Sequence, residues 1–337
     1  MSGFSRTGYQ VGDKLMADTV ALDPATGAFL EAMRASGGKP LHESSIEEVR
    51  GNIRAASAQL APPPADVARV EDRRIPTAGG DFGVRIYTPH GGTLRPIVVY
   101  FHGGGWAAGD LNTHDGTARY LAANANAVVV SVDYRQPPEH KFPAAVNDSF
   151  AAVEWAAAHA REIGGDAARL AVAGDSAGGN LATVVCQLAK QRGAPRIAYQ
   201  VLLYPTVDLR DPVDDPAYPS RHQFGGGDHF LSMRDMEWFR SLYVTDPTRE
   251  SSDARLSPIA ARDLAGLPPA LVLTAGCDPL RDEGKAYADR LAAAGVPAEY
   301  RCYDGTIHAF MSFAGAIPRG LEALSFVASR LKAALAN

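Results

Sequence analysis

The sequence lacks several features that mark well-known protein classes. No stretch reaches the roughly 18 uninterrupted apolar residues that a membrane-spanning helix needs. The three cysteines, Cys186, Cys277 and Cys302, are scattered without metal-ligand spacing, so we expect reduced structural thiols and no disulfide framework or zinc site. The formal net charge is -5 and the basic residues form no stripe, which argues against a nucleic-acid-binding protein.

What is present is enough material for a large core. The chain has 337 residues, of which 46% are hydrophobic and 21% charged, and this composition fits one large domain with an insertion or two domains. The first residues, Met1 to Arg6, lack the charged-then-apolar order of a signal peptide. We therefore expect a cytoplasmic protein with no membrane partner.

The apolar pattern changes along the chain. Residues 1–65 show helical periodicity and end in the Pro-rich stretch Ala61 to Ala65, which predicts N-terminal cap helices. Short strands follow, most of them continuous apolar runs of the kind found in buried parallel sheets. We predict eight strands, over 70–75, 82–87, 97–101, 127–132, 170–173, 199–204, 270–274 and 298–303. The first two form an antiparallel hairpin, and helices over 115–124, 144–163, 180–192 and 281–294 alternate with the later strands, which predicts an α/β fold with a mostly parallel sheet.

The alternation is interrupted between Pro205 and about Arg262. This interval contains the Pro- and Asp-rich loop 211–216, the glycine run 225–227, read as a hinge, and a helical pattern over 231–243. We predict a catalytic domain over 66–205 and 263–337 and a lid over 206–262, although a helical decoration that only packs is the alternative. Six apolar lid residues are expected to line a pocket: Phe224, Phe230, Met233, Met236, Trp238 and Phe239.

The segment Gly174-Asp175-Ser176-Ala177-Gly178-Gly179 joins an apolar strand to a helical pattern. A Gly-x-Ser-x-Gly motif in that setting predicts a sharp turn that exposes the serine hydroxyl at the end of the sheet. Glycine is required at Gly174 and Gly178 because a side chain there would collide across the turn. The motif alone is also common by chance, so partners are needed.

A serine nucleophile needs a general base and a group that orients the base. His308 follows the last strand, and Asp278 follows the strand before it, so parallel connections bring both to the edge of the sheet that carries Ser176. Asp282 and Asp304 compete for the acidic role, but one lies in the first turn of a helix and the other in an Asp-Gly turn. Five other histidines are interpreted as surface or packing residues: His42, His90, His159, His222 and His229.

A third element follows the strand over 97–101. The run His102-Gly103-Gly104-Gly105-Trp106 places glycines where backbone N–H groups can point at one oxygen. Together with the N–H of Ala177, the N–H groups of Gly104 and Gly105 would form an oxyanion hole. A glycine-rich turn without a role is the alternative.

These motifs in combination resemble the bacterial hormone-sensitive-lipase-like esterases, lipase family IV. The glycine run and the serine motif match, as do Asp133-Tyr134-Arg135 with Pro138 to Ala144, the acidic segment Cys277 to Gly284, and His308-Ala309-Phe310. Gln136-Pro137 replaces the Leu-Ala that is usual in the family. The resemblance runs from about Val70 to the C-terminus and is weakest over the lid.

The resemblance implies an α/β-hydrolase fold with a two-part helical cap, no cofactor, no metal and hydrolysis of short-acyl esters. Family members are often dimers through the last strand, so a homodimer is a candidate assembly. We therefore predict a serine carboxylesterase acting on short- to medium-chain esters through Ser176, Asp278 and His308. Amide, lactone or carbamate hydrolysis by the same residues is the alternative. A binding protein on this scaffold would be expected to lack the histidine, and His308 is present.

Overall fold

The computed structural model describes residues 21–92, 94–210 and 217–336. The N-terminal residues assessed for a signal peptide and the loop 211–216 lie outside the described residues. The strands have the following bounds: β1 Arg69–Ile75, β2 Phe82–Thr88, β3 Arg95–Phe101, β4 Val128–Asp133, β5 Gly165–Asp175, β6 Tyr199–Leu203, β7 Ala270–Cys277 and β8 Ala298–Ile307.

These strands form one sheet in the order β1-β2-β4-β3-β5-β6-β7-β8. Strand β2 is antiparallel to both β1 and β4, whereas the other neighbouring pairs are parallel. All eight residues of β7 are buried, as expected for an apolar strand covered on both faces. The predicted eight-stranded, mostly parallel sheet is confirmed.

Helices cover the sheet on both faces. On one face α3 and α10 bring Leu121 and Leu324 into a shared core, and on the other α4, α5 and α9 contribute Phe150, Leu181 and Tyr287. The bounds of the helices are α1 Pro24–Ala35, α2 Ile46–Leu60, α3 Asp115–Ala125, α4 Ala144–Ala158, α5 Ala177–Arg192, α6 Pro219–Phe224, α7 Met233–Tyr243, α8 Pro247–Glu250, α9 Arg281–Ala293 and α10 Arg319–Ala334. In the part of the chain that the structure describes, none of them has the length and apolarity of a membrane span.

Several predicted boundaries are wrong. Strand β5 begins at Gly165 rather than at residue 170, and β8 ends at Ile307 rather than at residue 303. The helix expected over 144–163 ends at Ala158, and residues 159–164 form turns that lead into β5. The backbone N–H of Gly165 donates to the carbonyl of Ala160, which closes a compact turn between α4 and β5. The alanine-rich sequence continues the helical pattern beyond this point, and the turn only becomes apparent from the tertiary contacts.

The N-terminal helices begin at well-formed caps. The carboxylate of Asp23 accepts from the N–H groups of Ala25 and Thr26 at the start of α1. At α2, Ser45 and Glu48 form a reciprocal capping box. Helix α2 contacts the residue that follows the glycine run, because Nε of Arg50 donates to the carbonyl of Ala107 at 2.8 Å.

The segment between β6 and β7 is tied to the start of α9 through α6. The guanidinium of Arg221 lies 2.6 Å from the carboxylate of Glu283, and both side chains are almost completely buried. Beside this pair, the N–H of Ser220 donates to Asp282 and its hydroxyl donates to the carbonyl of Pro279. These contacts fix α6 against the segment that follows β7. The division of the chain into cap helices, catalytic domain and lid stays a prediction.

Candidate active site

Ser176 lies at the sharp turn between β5 and α5. Its backbone has φ 54° and ψ -118°, a conformation that costs a non-glycine residue about 1–3 kcal/mol and that clusters at functional sites. A Cβ on Gly178 would lie 1.9 Å from the carbonyl oxygen of Phe101, and one on Gly174 would lie 2.2 Å from the carbonyl oxygen of Gly178. Only glycine fits these two positions, as expected from the sequence.

The structure brings the other two predicted residues to this turn. Nε2 of His308 lies 2.9 Å from Oγ of Ser176, and Nδ1 of His308 lies 2.8 Å from the carboxylate of Asp278. Asp278 is completely buried and His308 is 5% exposed. The N–H of Leu280 donates to the second carboxylate oxygen of Asp278 at 2.8 Å, which fixes the orientation of that side chain.

The two competing acids point elsewhere. The carboxylate of Asp282 pairs with Arg281 and accepts from the N–H of Ser220. Asp304 is exposed within β8, and its carbonyl accepts from Arg319. Of the three acids considered, Asp278 is the one in contact with His308.

The glycine run follows β3 and lines the same cavity as Ser176. Gly104 and Gly105 have φ values of 113° and 59°, in the region that favours glycine. Among the hydrogen bonds of the described residues, neither N–H group is a donor, and Ala177 is the first residue of α5, where the N–H has no partner within the helix. Three N–H groups are therefore available to a bound oxygen.

Asp175 connects the serine turn to the glycine run. Its carboxylate accepts from the hydroxyl of Tyr100 at 2.7 Å and from the N–H of Gly103 at 2.9 Å, and it lies 3.4 Å from Nε2 of His114. Burial acts to raise the pKa of Asp175, but His114 and the Tyr100 hydroxyl outweigh it and hold the pKa below its usual value. Sequence analysis missed His114, since nothing in its local sequence indicates a partner about sixty residues away.

His102, the first residue of the glycine run, is buried and stacks on Tyr134 with ring centroids 4.3 Å apart. Its Nδ1 lies 2.8 Å from the carbonyl of Gly103. Burial lowers the pKa of His102 from 6.5 to about 4. The imidazole is therefore neutral at neutral pH and acts as a rigid support for the glycine run.

This pKa predicts a loss of stability in mild acid. Between pH 6.5 and about 4 the unfolded chain protonates His102 and the native protein does not, so stability falls as the pH falls. We expect His102 to account for a loss of about 2 kcal/mol in the free energy of unfolding between pH 7 and pH 5. Urea unfolding at both pH values measures it.

In a His102→Asn variant, the loss of unfolding free energy between pH 7 and pH 5 should be smaller than in the parent by about 2 kcal/mol, whatever the stability of the variant at pH 7. The exposed Asn124 provides a control, because Asn124→Ala removes no group that titrates in this pH range and should leave the pH dependence unchanged. An equal pH dependence in the His102 variant and the parent would contradict the assignment.

Above Ser176 lies a mostly apolar cavity of about 500 Å³. Its walls come from α1 and α2, from the glycine run, from residues 230–240 and from the segment that begins at His308. A volume of this size is ordinary for a small-molecule site. Among the described residues, no group of histidine, cysteine and acidic side chains could hold a metal ion.

Three of the six lid residues that were expected to line the pocket do so. Phe230, Met236 and Phe239 line the cavity, and the ring of Phe239 packs against Gly105. Phe224, Met233 and Trp238 do not line it. Phe224 is buried in the core under Arg281, Met233 packs against Gly225, and Trp238 packs beside Phe239. Helix α7 is apolar on more than one face, so its pattern did not reveal which face meets the cavity.

The five histidines interpreted as surface or packing residues, and the three cysteines, do not line the cavity that contains Ser176. His42 hydrogen-bonds to Asp235 and His90 to Asp66. His159 stacks on Trp155, His229 meets the ring of Phe224 edge-on, and His222 is exposed. None of Cys186, Cys277 and Cys302 forms a disulfide with another described residue, and burial raises the pKa of each thiol. These observations agree with packing and surface roles.

Comparison with known proteins decides the family. Residues 98–312 match the sequence profile of a family described as having the alpha/beta hydrolase fold. The chain belongs to this α/β-hydrolase family. The match covers the glycine run, Ser176, Asp278 and His308.

Individual relatives agree with this assignment. Carboxylic ester hydrolase LipN of Mycobacterium tuberculosis is 41% identical over 89% of this chain and 80% of its own. The ethyl acetate hydrolase of Pseudomonas putida is 36% identical over 93% of this chain and 99% of its own. A solved structure of a hyperthermophilic esterase from Pyrobaculum calidifontis has a TM-score of 0.87, with 41% identity over 93% of this chain and 98% of that chain.

These comparisons confirm the resemblance to the bacterial hormone-sensitive-lipase-like esterases. They also confirm the expected enzyme class, a carboxylic ester hydrolase of the α/β-hydrolase family. The roles of individual residues and the range of esters are considered next.

Proposed function

We propose that this hydrolase cleaves short- to medium-chain carboxylic esters, with Ser176 as nucleophile, His308 as general base and Asp278 as the residue that orients His308. The observation that carries the proposal is the continuous hydrogen-bonded chain from Ser176 through His308 to Asp278, with distances of 2.9 and 2.8 Å, beside an apolar cavity. The name of the Pseudomonas putida relative, ethyl acetate hydrolase, supports short acyl groups.

In the first step, Oγ of Ser176 attacks the ester carbonyl carbon while Nε2 of His308 takes its proton. The buried carboxylate of Asp278 stabilises the imidazolium and keeps Nδ1 protonated. The carbonyl oxygen becomes negatively charged and accepts from the N–H groups of Gly104, Gly105 and Ala177. One such donor lowers an activation barrier by about 3 kcal/mol.

The tetrahedral intermediate then collapses. His308 gives its proton to the alcohol oxygen as the carbon–oxygen bond breaks, and the acyl group stays on Ser176. A water molecule, deprotonated by the same histidine, attacks the acyl carbon and releases the acid. Asp175 supports both steps indirectly, because it holds the serine turn against the N–H of Gly103.

The experiment that tests this function combines turnover with covalent labelling. We expect fast hydrolysis of p-nitrophenyl acetate and butyrate, abolished by an organophosphate that mass mapping places on Ser176. Anilide, lactone and carbamate substrates measured in parallel would identify the alternative activities, because all of them share the tetrahedral intermediate. A label on another residue, or activity that survives labelling, would refute the proposed nucleophile.

We expect turnover to fall steeply with acyl length. The aromatic ring of Phe239 closes the cavity beside Gly105, and Met236 lies on the same face of α7. A long acyl chain therefore clashes with this wall, and kcat/KM should fall at least about tenfold from p-nitrophenyl butyrate to palmitate, which corresponds to a steric cost of about 1.4 kcal/mol in the transition state.

The companion variant is Phe239→Ala, which should shift the preference towards octanoate and palmitate by enlarging this end of the cavity. Phe224→Ala, a buried position of the same region that does not line the cavity, is the matched control. Equal turnover of all chain lengths by the parent would show that this wall does not limit the acyl group.

The cytoplasmic location and the homodimer stay predictions.

A further inference from the structure

Three phenylalanine rings meet at one end of the cavity. The rings of Phe29 and Phe313 have centroids 4.8 Å apart and are inclined by 32°, and Phe230 meets Phe313 edge-on at 5.2 Å and 87°. All three line the cavity. They come from three separate parts of the chain: α1, the loop before α7, and the turns that follow His308.

One of these rings is held in an unfavourable backbone conformation. Phe230 has a φ of 77°, which is rare for a bulky residue and costs of the order of 1 kcal/mol or more. The conformation is retained in a loop that begins with three glycines, so the chain could relax there at little steric cost. Its result is the edge-on contact with Phe313.

Two groups of aromatic residues line the cavity next to different parts of the site. Phe313 belongs to the segment that starts with His308, and Ala309 and Ser312 of this segment also line the cavity. Phe239 instead packs against Gly105 of the glycine run. An ester bound at Ser176 must place its alcohol oxygen near Nε2 of His308 and its carbonyl oxygen near the glycine N–H groups. The alcohol group therefore starts beside His308, whose segment leads to Phe313 five residues later.

From this geometry we propose that Phe29, Phe230 and Phe313 form a subsite for the aromatic ring of an ester's alcohol group, so that the preferred substrates are short-chain acyl esters of arylmethyl alcohols or phenols. The inference rests on the proposed function and adds the class of alcohol to it. Met33, one turn beyond Phe29, is 40% exposed and also lines the cavity, so this end reaches solvent and leaves an exit for the released alcohol.

Two pairs of esters test the subsite. Benzyl acetate and cyclohexylmethyl acetate have alcohol groups of similar size and leaving ability but differ in aromaticity. A ring that joins an aromatic cluster gains an interaction beyond burial, so we expect kcat/KM to favour benzyl acetate by about two- to tenfold. Methyl phenylacetate and methyl cyclohexylacetate place the same two rings on the acyl side.

The decisive variant is Phe313→Leu. We expect the ratio of kcat/KM for the acetate pair to fall to about one, and the ratio for the acyl pair to keep its parental value. Phe230→Leu should lower the first ratio in the same direction. Phe224→Leu, which replaces a buried phenylalanine outside the cavity, should change neither ratio. Both esters of a pair are measured on one preparation, so the fraction of folded enzyme cancels.

The outcomes separate the subsite from the chemistry. Parental ratios for the acetate pair in both Phe313→Leu and Phe230→Leu would overturn the subsite while leaving ester hydrolysis intact. A change confined to the acyl pair would place the rings on the wrong side of the ester and would also overturn it. Absence of hydrolysis of all four esters would refute the proposed function and this inference with it.

Discussion

A Ser176→Ala variant should hydrolyse p-nitrophenyl butyrate with a kcat roughly a millionfold below that of the parent, as for the loss of a serine nucleophile in other enzymes. Removal of Oγ leaves His308 with no hydroxyl to deprotonate and leaves the acyl group with no covalent acceptor. The cavity and the glycine run are unchanged, so substrate binding should persist. Steady-state turnover with active-site titration measures the effect.

The matched control is Ser329→Ala, in which an exposed serine of α10 loses a hydroxyl that donates to the carbonyl of Phe326. This variant should retain parental turnover, and near-ultraviolet circular dichroism should show that both proteins are folded. A Ser176→Ala protein with activity within about tenfold of the parent would mean that another group is the nucleophile.

Arg221→Met should lower the free energy of unfolding by about 3–5 kcal/mol. The substitution leaves the carboxylate of Glu283, which is fully buried, without its cation. That carboxylate also accepts from the N–H groups of Val207 and Asp208, so it cannot turn towards solvent without breaking these bonds. Urea or thermal unfolding measures the loss.

A second substitution separates the lost pairing from lost packing. In Arg221→Met with Glu283→Gln both charges are gone, while an amide oxygen can still accept from the N–H groups of Val207 and Asp208, so part of the lost stability should return. Arg249→Met, at an ion pair whose arginine is 88% exposed, should have little effect. A small loss in the single variant would show that solvent reaches the buried pair.

The relative positions of Ser176, Asp278 and His308 could be predicted from sequence for a topological reason. Each follows a strand of a parallel sheet, and parallel connections return the chain to the same edge. Their order along the chain and the apolar strand patterns therefore determine their convergence. The glycine positions follow from local sterics and need no knowledge of distant residues.

Contacts between distant segments were beyond the reach of such patterns. Trp238 and Phe239 are both apolar and adjacent in α7, but only the second meets the cavity, since this depends on how the helix docks. His114 reaches Asp175, and Arg221 reaches Glu283, across long stretches of chain. The periodicity of a sequence does not identify which distant residue a polar side chain will contact.

The proposed reacting groups and the cavity walls have separate origins in the chain. Ser176, Asp278 and His308 are carried by the ends of β5, β7 and β8, whereas much of the apolar wall comes from α1, α2 and the segment between β6 and β7. Substitutions or length changes in this segment leave the strand register untouched. Substrate preference can therefore change during evolution while the reaction mechanism stays the same. A chimera that carries the corresponding segment of a relative should hydrolyse part of the range of esters that the relative hydrolyses.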